Sequence, residues 1–177
     1  MARHLVDDVP EPDPGVLEVV VEVPRGSRNK YEWDAEQGVV RFDRRLIGAV
    51  AFPADYGFVP ETTGSDEEPL DALVLLDEPT FPGVRVRCRA VGVQWIGTRH
   101  GPEAKLLCVP IGEPAYEHVG DLDDLPPHVA REIGQFFAVY KQLDAGSTPT
   151  DEGVQGRAVA LAVLREARER WAVTRRR

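Results

Sequence analysis

Apolar and polar positions alternate with a period of two through most of the first two-thirds of the chain. In VLEVVVEVP, Leu17, Val19, Val21 and Val23 share one face and Glu18, Val20 and Glu22 the other, which predicts a strand that Pro24 ends. NKYEWD and GVVRFDRR flank AEQG, a short connection holding Gly38, and predict a hairpin. PLDALVLL, GVRVRCRAVGVQWI and AKLLCVPI are three further strands. In the second of these, Val84, Val86, Cys88 and Ala90 face one way and Arg85, Arg87 and Arg89 the other, the signature of a sheet with one wet face.

Helical spacing enters only late. Val129, Ile133, Phe136, Phe137 and Tyr140 recur at helical intervals after Pro126, with Asp123 or Asp124 as the expected cap. A second amphipathic helix is expected from Gly156 to Trp171. Strands joined by short turns and followed by helices indicate an α+β domain, a compact β-barrel with helices packed outside. Residues 1–15 carry Pro10, Pro12 and Pro14 among acids and predict a flexible arm, leaving residues 16–177 as one domain.

Composition narrows the function classes. A net charge of −9 disfavours nonspecific binding to nucleic acid or an anionic membrane. No apolar run approaches the roughly 18 residues that span a bilayer, and the N-terminus lacks the apolar core of a secretory signal. Cys88 and Cys108 stand in alternating apolar contexts and read as inert core thiols, which points to a reducing cytoplasm.

The chemistry is concentrated in GSDEEPLDALVLL. Asp66, Glu67, Glu68 and Asp71 crowd the mouth of a buried strand, with Asp71 in phase with Leu73 and Leu75. Carboxylates this close repel one another unless something cationic lies between them. Oxygen ligands on a turn suit hard divalent cations, Mg²⁺ above all. Further charges fall on strands where apolar residues are expected: Glu22, Lys30, Glu32, Arg44, Glu103 and Lys105. A divalent-metal site that also grips phosphate accounts for both sets; a solvated acidic turn with surface ion pairs is the alternative.

EVPRGSRNKYEWD, RFDRR, FPADYGFVPETTGSDEEPLDALVLL, FPGVRVRCRAVGV, EAKLLCVP and FFAVYKQL follow one another over residues 16–145. In this order they resemble the blocks of the soluble family I inorganic pyrophosphatases, bacterial ones in particular. The resemblance implies an OB-like five-stranded closed β-barrel with flanking helices. It also implies hydrolysis of inorganic diphosphate with Mg²⁺, for which Mn²⁺ is a substitute. Asp66, Asp71 and Glu103 would then hold the activating metals, with Glu22 and Glu32 binding more metal through water. Lys30, Arg44, Tyr56, Lys105, Tyr140 and Lys141 would hold phosphate oxygens, and Glu68 would be the base. A homo-oligomer, hexameric in bacterial relatives, is implied as well, although Gln135 and Val139 stand where those relatives carry histidines.

The chain departs from that pattern at several positions. Glu68 and Glu103 replace Asp, Thr98 replaces a metal-binding Asp, and Phe52 replaces a phosphate-contacting Tyr. Each Asp-to-Glu change moves a carboxylate by about 1.5 Å. Three expectations stay open at this point: ordinary diphosphate hydrolysis, action on an organic diphosphate, and a weak or inactive phosphate-binding paralogue.

Overall fold

A computed structural model describes residues 13–144 and 149–175. Five strands close a ring: β1 (Val16–Val23), β4 (Asp55–Val59), β5 (Leu70–Val74), β6 (Arg85–Thr98) and β7 (Gly101–Pro110). β1 pairs with β4, β4 with β5, β6 with β7 and β6 with β1, all antiparallel, while β5 and β7 run parallel. The expected hairpin forms a separate ribbon from β2 (Asn29–Asp34) and β3 (Val39–Arg45). β8 (Thr150–Gly156) adds to the outer side of β6.

Two cores follow from the strand alternation. One takes side chains from all five ring strands, among them Val19, Val59, Ala72, Cys88 and Cys108, and is covered by Ala160, Leu164 and Ala167 of α2 (Arg157–Thr174). The other lies on the opposite face, where Leu73, Val91, Leu107 and Val109 meet Ile133, Phe136 and Phe137 of α1 (Pro127–Val139). Both cysteines are buried and unpaired, as their contexts predicted. Gly57 permits the close crossing of β4 over β1, since a Cβ there would lie 1.9 Å from the Val20 carbonyl oxygen.

Neither β4 nor β8 shows in the sequence pattern. The first reads DYGFV, too short and too glycine-bearing to show a period; the second, TDEGVQG, is polar throughout. Neither Asp123 nor Asp124 caps the first helix. Asp124 belongs to a preceding 3₁₀ turn, Leu122–Asp124, where its carboxylate accepts from Gly120 N and Asp121 N at 2.8 and 2.9 Å. α1 starts after Pro126 without a side-chain cap, because two consecutive prolines already set the φ of a first turn. Of the arm expected over residues 1–15, residues 1–12 lie outside the described set. Asp13 pairs with Arg157 at 2.6 Å, and the Gly15 carbonyl accepts from Ala90 N at 2.9 Å. Among the described residues no helix is long and apolar enough to cross a membrane.

Candidate active site

The parallel register of β5 and β7 sets Asp71 directly opposite Lys105, and the two side chains form an ion pair. Lys105 is 6% exposed and also meets Glu103 Oε2 at 2.9 Å. Burial alone would discharge such an ammonium; Asp71 and Glu103 outweigh it and hold its pKa above the ordinary lysine range. Glu103 is held below the usual carboxylate range: burial would raise it, but Lys105 prevails, with Lys141 adding to it.

The hairpin supplies the opposite wall. β2 and β3 place Lys30 across from Arg44, an arrangement of like charges that is unfavourable by itself. Asp43, which the sequence reading passed over, stands between them, 3.0 Å from Lys30 and 2.8 Å from Arg44. Its position beside Arg44, on the strand facing Lys30, was the available signal. Lys30 also pairs with Glu32, and these partners offset its burial and raise its pKa. Arg44 makes a second bond to Asp144 at 3.1 Å.

Between these walls lies a cavity of about 490 Å³ lined by Glu22, Lys30, Glu32, Trp33, Tyr56, Phe58, Asp66, Glu68, Pro69 and Asp71, among others. Five carboxylates and one ammonium therefore share one hollow. Glu22 accepts from Trp33 N at 2.7 Å, yet burial, with Asp71 and Glu32 adding to it, pushes it up to about 7. Burial, Asp71 and Tyr140 likewise hold the Tyr56 phenol well above its ordinary range, so it stays protonated as a donor.

Arg44, Glu103, Lys105, Tyr140 and Lys141 do not line this cavity. Glu103 and Lys105 line a smaller hollow of about 140 Å³ that shares Asp66, Pro69 and Asp71 with the larger one. Arg44 reaches the cavity through Asp43 and Lys30. Tyr140 packs on Phe136 and Phe137 with centroids 5.1 and 5.6 Å apart, and the Lys141 ammonium lies 5.2 Å from the Tyr140 ring centre. Phe52 is 2% exposed and packs between Tyr56 and Phe136, with ring centres 5.5 and 4.8 Å away. The Thr98 hydroxyl serves its own turn, donating to Gly101 O at 2.9 Å and accepting from His100 N at 3.1 Å.

A family model described as inorganic pyrophosphatase matches residues 19–172. The chain belongs to the inorganic pyrophosphatase family. It is 47% identical over 155 residues to the inorganic pyrophosphatase of Streptomyces coelicolor, covering 88% of this chain and 95% of that one. The inorganic pyrophosphatase of Methanosarcina acetivorans is 43% identical over 156 residues, with 88% and 92% covered. Among solved structures, the inorganic pyrophosphatase from Thermus thermophilus superposes with a TM-score of 0.88 at 40% identity, covering 93% of this chain and 96% of that one. The expected ring of five strands with flanking helices is thus the fold of this family.

Pyrophosphatases of this family depend on divalent metal ions. The donor set here fits such ions. All five acids lining the cavity offer hard oxygen ligands, and Asp71 and Glu32 add to the burial that pushes Glu22 upward. Among the described residues no three acids, cysteines or histidines are drawn together as a ready cage.

Proposed function

We propose that the chain hydrolyses inorganic diphosphate to two phosphates in this cavity, with Mg²⁺ as the resident ion and Mn²⁺ as a substitute. The observation that carries the reading is the meeting of five acids with Lys30 in one 490 Å³ hollow of a pyrophosphatase-family chain. Asp66, Asp71 and Glu103 would hold the activating ions and Glu22 and Glu32 further ones. Divalent ions so bound neutralise diphosphate and lower the pKa of an attacking water.

The chain's own residues do the rest. Glu68, exposed at the tip of the turn, takes the proton from that water. Lys30 and Lys105 stay charged through the neutral range because their carboxylate partners raise them, so both present fixed positive charge to phosphate oxygens. Arg44 stands behind Lys30, and Tyr56 donates its phenol proton in a hydrogen bond. Tyr140 and Lys141, just past the end of α1, would hold further phosphate oxygens.

Neither an organic diphosphate nor a silent phosphate-binding role gains support, since the family model and the similar chains are described as inorganic pyrophosphatases. Cytoplasmic residence belongs to the same proposal, supported by two buried free thiols. So does a homo-oligomer, hexameric by resemblance, supported by Phe42 and Phe81 standing 61% and 66% exposed. The test is phosphate release by the purified chain from diphosphate and from nucleoside and isoprenoid diphosphates, with Mg²⁺ and with chelator. Release from inorganic diphosphate alone, abolished by chelator, is expected. Preference for an organic diphosphate, or no release at any Mg²⁺ concentration, would overturn the reading.

A further inference from the structure

The loop between β4 and β5 carries Asp66 and Glu68 but belongs to no strand or helix. Val59 and Leu70 face each other in register at its base. Thr62, 3% exposed, joins them: its hydroxyl donates to Val59 O at 2.6 Å and accepts from Leu70 N at 3.0 Å. One side chain thereby fastens both ends of the loop. The next residue is tied to α2, with Thr63 N donating to Ala167 O at 2.9 Å and Arg170 Nε donating to Thr63 O at 2.8 Å. Within the loop, Gly64 N donates to Glu68 O at 2.6 Å and Glu68 N to Asp66 Oδ1 at 3.2 Å.

The loop also holds two side-chain-bearing residues in the left-handed region, Glu61 at φ 58° and Glu67 at φ 70°. Each such conformation costs about 1 kcal/mol or more and persists only where the surroundings over-determine it. The over-determining contacts are those of Thr62 and of α2. Neither Thr62 nor Arg170 lines the 490 Å³ cavity. Arg170 lies behind the turn, along the smaller hollow it shares with Asp66, Asp71 and Glu166.

We propose that Thr62 and Arg170 are positioning residues, through which the base of the loop and the C-terminal helix fix where Asp66 and Glu68 stand. Loosening either hold lets the acids drift from the geometry that binds ions and accepts the proton. A displacement near 1 Å lowers rate by up to about 10²-fold. The activity part of this inference rests on the proposed diphosphate hydrolysis, and the ion-binding part only on the Mg²⁺ sites proposed with it.

The experiment compares the full chain with Thr62→Val, Thr62→Ser and Arg170→Met by calorimetric titration with Mg²⁺ alone, steady-state kinetics on diphosphate, and thermal unfolding. Thr62→Val removes the hydroxyl at near-constant shape. Weakened Mg²⁺ affinity and a kcat lowered about tenfold are expected, with KM for diphosphate moving much less. Thr62→Ser restores both, and Arg170→Met shifts both in the same direction by about threefold. Lowered Tm with unchanged Mg²⁺ titrations and unchanged kcat at 25 °C would overturn the proposal, leaving a structural role only. Arg170 is exposed enough, at 42% of its side chain, that its variant decides the matter even if Thr62→Val does not fold. If the wild-type chain binds Mg²⁺ but releases no phosphate, the functional reading fails while the Mg²⁺ titrations still test the positioning.

Discussion

Asp55 and Asp71 lie on neighbouring strands of the same sheet and live in opposite surroundings. Asp55 is fully buried, and its two oxygens accept from Arg25 N at 2.8 Å, Thr80 N at 2.9 Å and the Thr80 hydroxyl at 2.5 Å. Asp71 is partly exposed, has Lys105 as its one ion-pair partner among the described residues, and shares a hollow with four other acids. An acid that serves the fold is surrounded by donors until its charge is satisfied. Among the described residues Asp71 has no comparable set of donors and faces other acids across the hollow, as the proposed ion-binding role requires.

The contrast breaks first if an acid of the hollow behaves like Asp55. Asp71→Asn keeps the shape and removes the charge; kcat/KM for diphosphate should fall by about 10²–10³-fold, with unfolding of the metal-free protein shifted little. A large loss of stability with activity retained would exchange the roles of the two residues. Asp55→Ala should do the reverse. It strands three donors in a buried site, so about 3 kcal/mol of stability should disappear from denaturant unfolding, while kcat/KM per folded molecule at low temperature stays close to wild type.

Glu22 sharpens the comparison through pH. Burial, with Asp71 and Glu32 contributing, raises it from 4.5 to about 7, so the metal-free folded chain keeps a proton that the unfolded chain has already released. The stability tied to that proton is complete below about pH 4.5 and is lost as pH rises through about 7. Glu22→Gln retains an acceptor for Trp33 N and removes the penalty. The metal-free variant should therefore be more stable than wild type at pH 8, by roughly 1–3 kcal/mol, and nearly equal to it at pH 4. Equal stability at both would mean that Glu22 is not under charge stress.

The smallest effect belongs to Glu67, whose φ of 70° strains a residue with a side chain. Glu67→Gly should relieve that strain and change unfolding free energy by less than about 1 kcal/mol. Its Mg²⁺ affinity should change little while the Thr62 and Arg170 holds remain.

The sequence carried much of this because charges on strands are conspicuous. Glu22, Lys30 and Glu32 interrupt apolar alternation, and the hairpin and both helices announce themselves by period. What it did not carry were contacts made across distant segments. The pairing of β5 with β7 that sets Asp71 beside Lys105 follows from ring closure, which no local window contains. Thr62 looks like any loop threonine until Val59 and Leu70 meet around it. Asp43 was hidden by the opposite problem, since a charged residue on a hairpin reads as surface until its two cationic neighbours are placed. β4 and β8 lacked period altogether and were recognisable only by their partners. Phe52 and Thr98 were legible as departures from a pattern, but their surroundings, an aromatic core and a tight turn, were not.

The most direct measurement is a crystal structure of the chain with Mn²⁺ and a non-hydrolysable diphosphate, read by the anomalous signal of the metal. The account predicts Mn²⁺ between Asp66 and Asp71 and against Glu22, with the diphosphate facing Lys30, Arg44 and Lys105. Metal or diphosphate seated only elsewhere, for example in the separate hollow of about 620 Å³ beside His118 and His128, would contradict it.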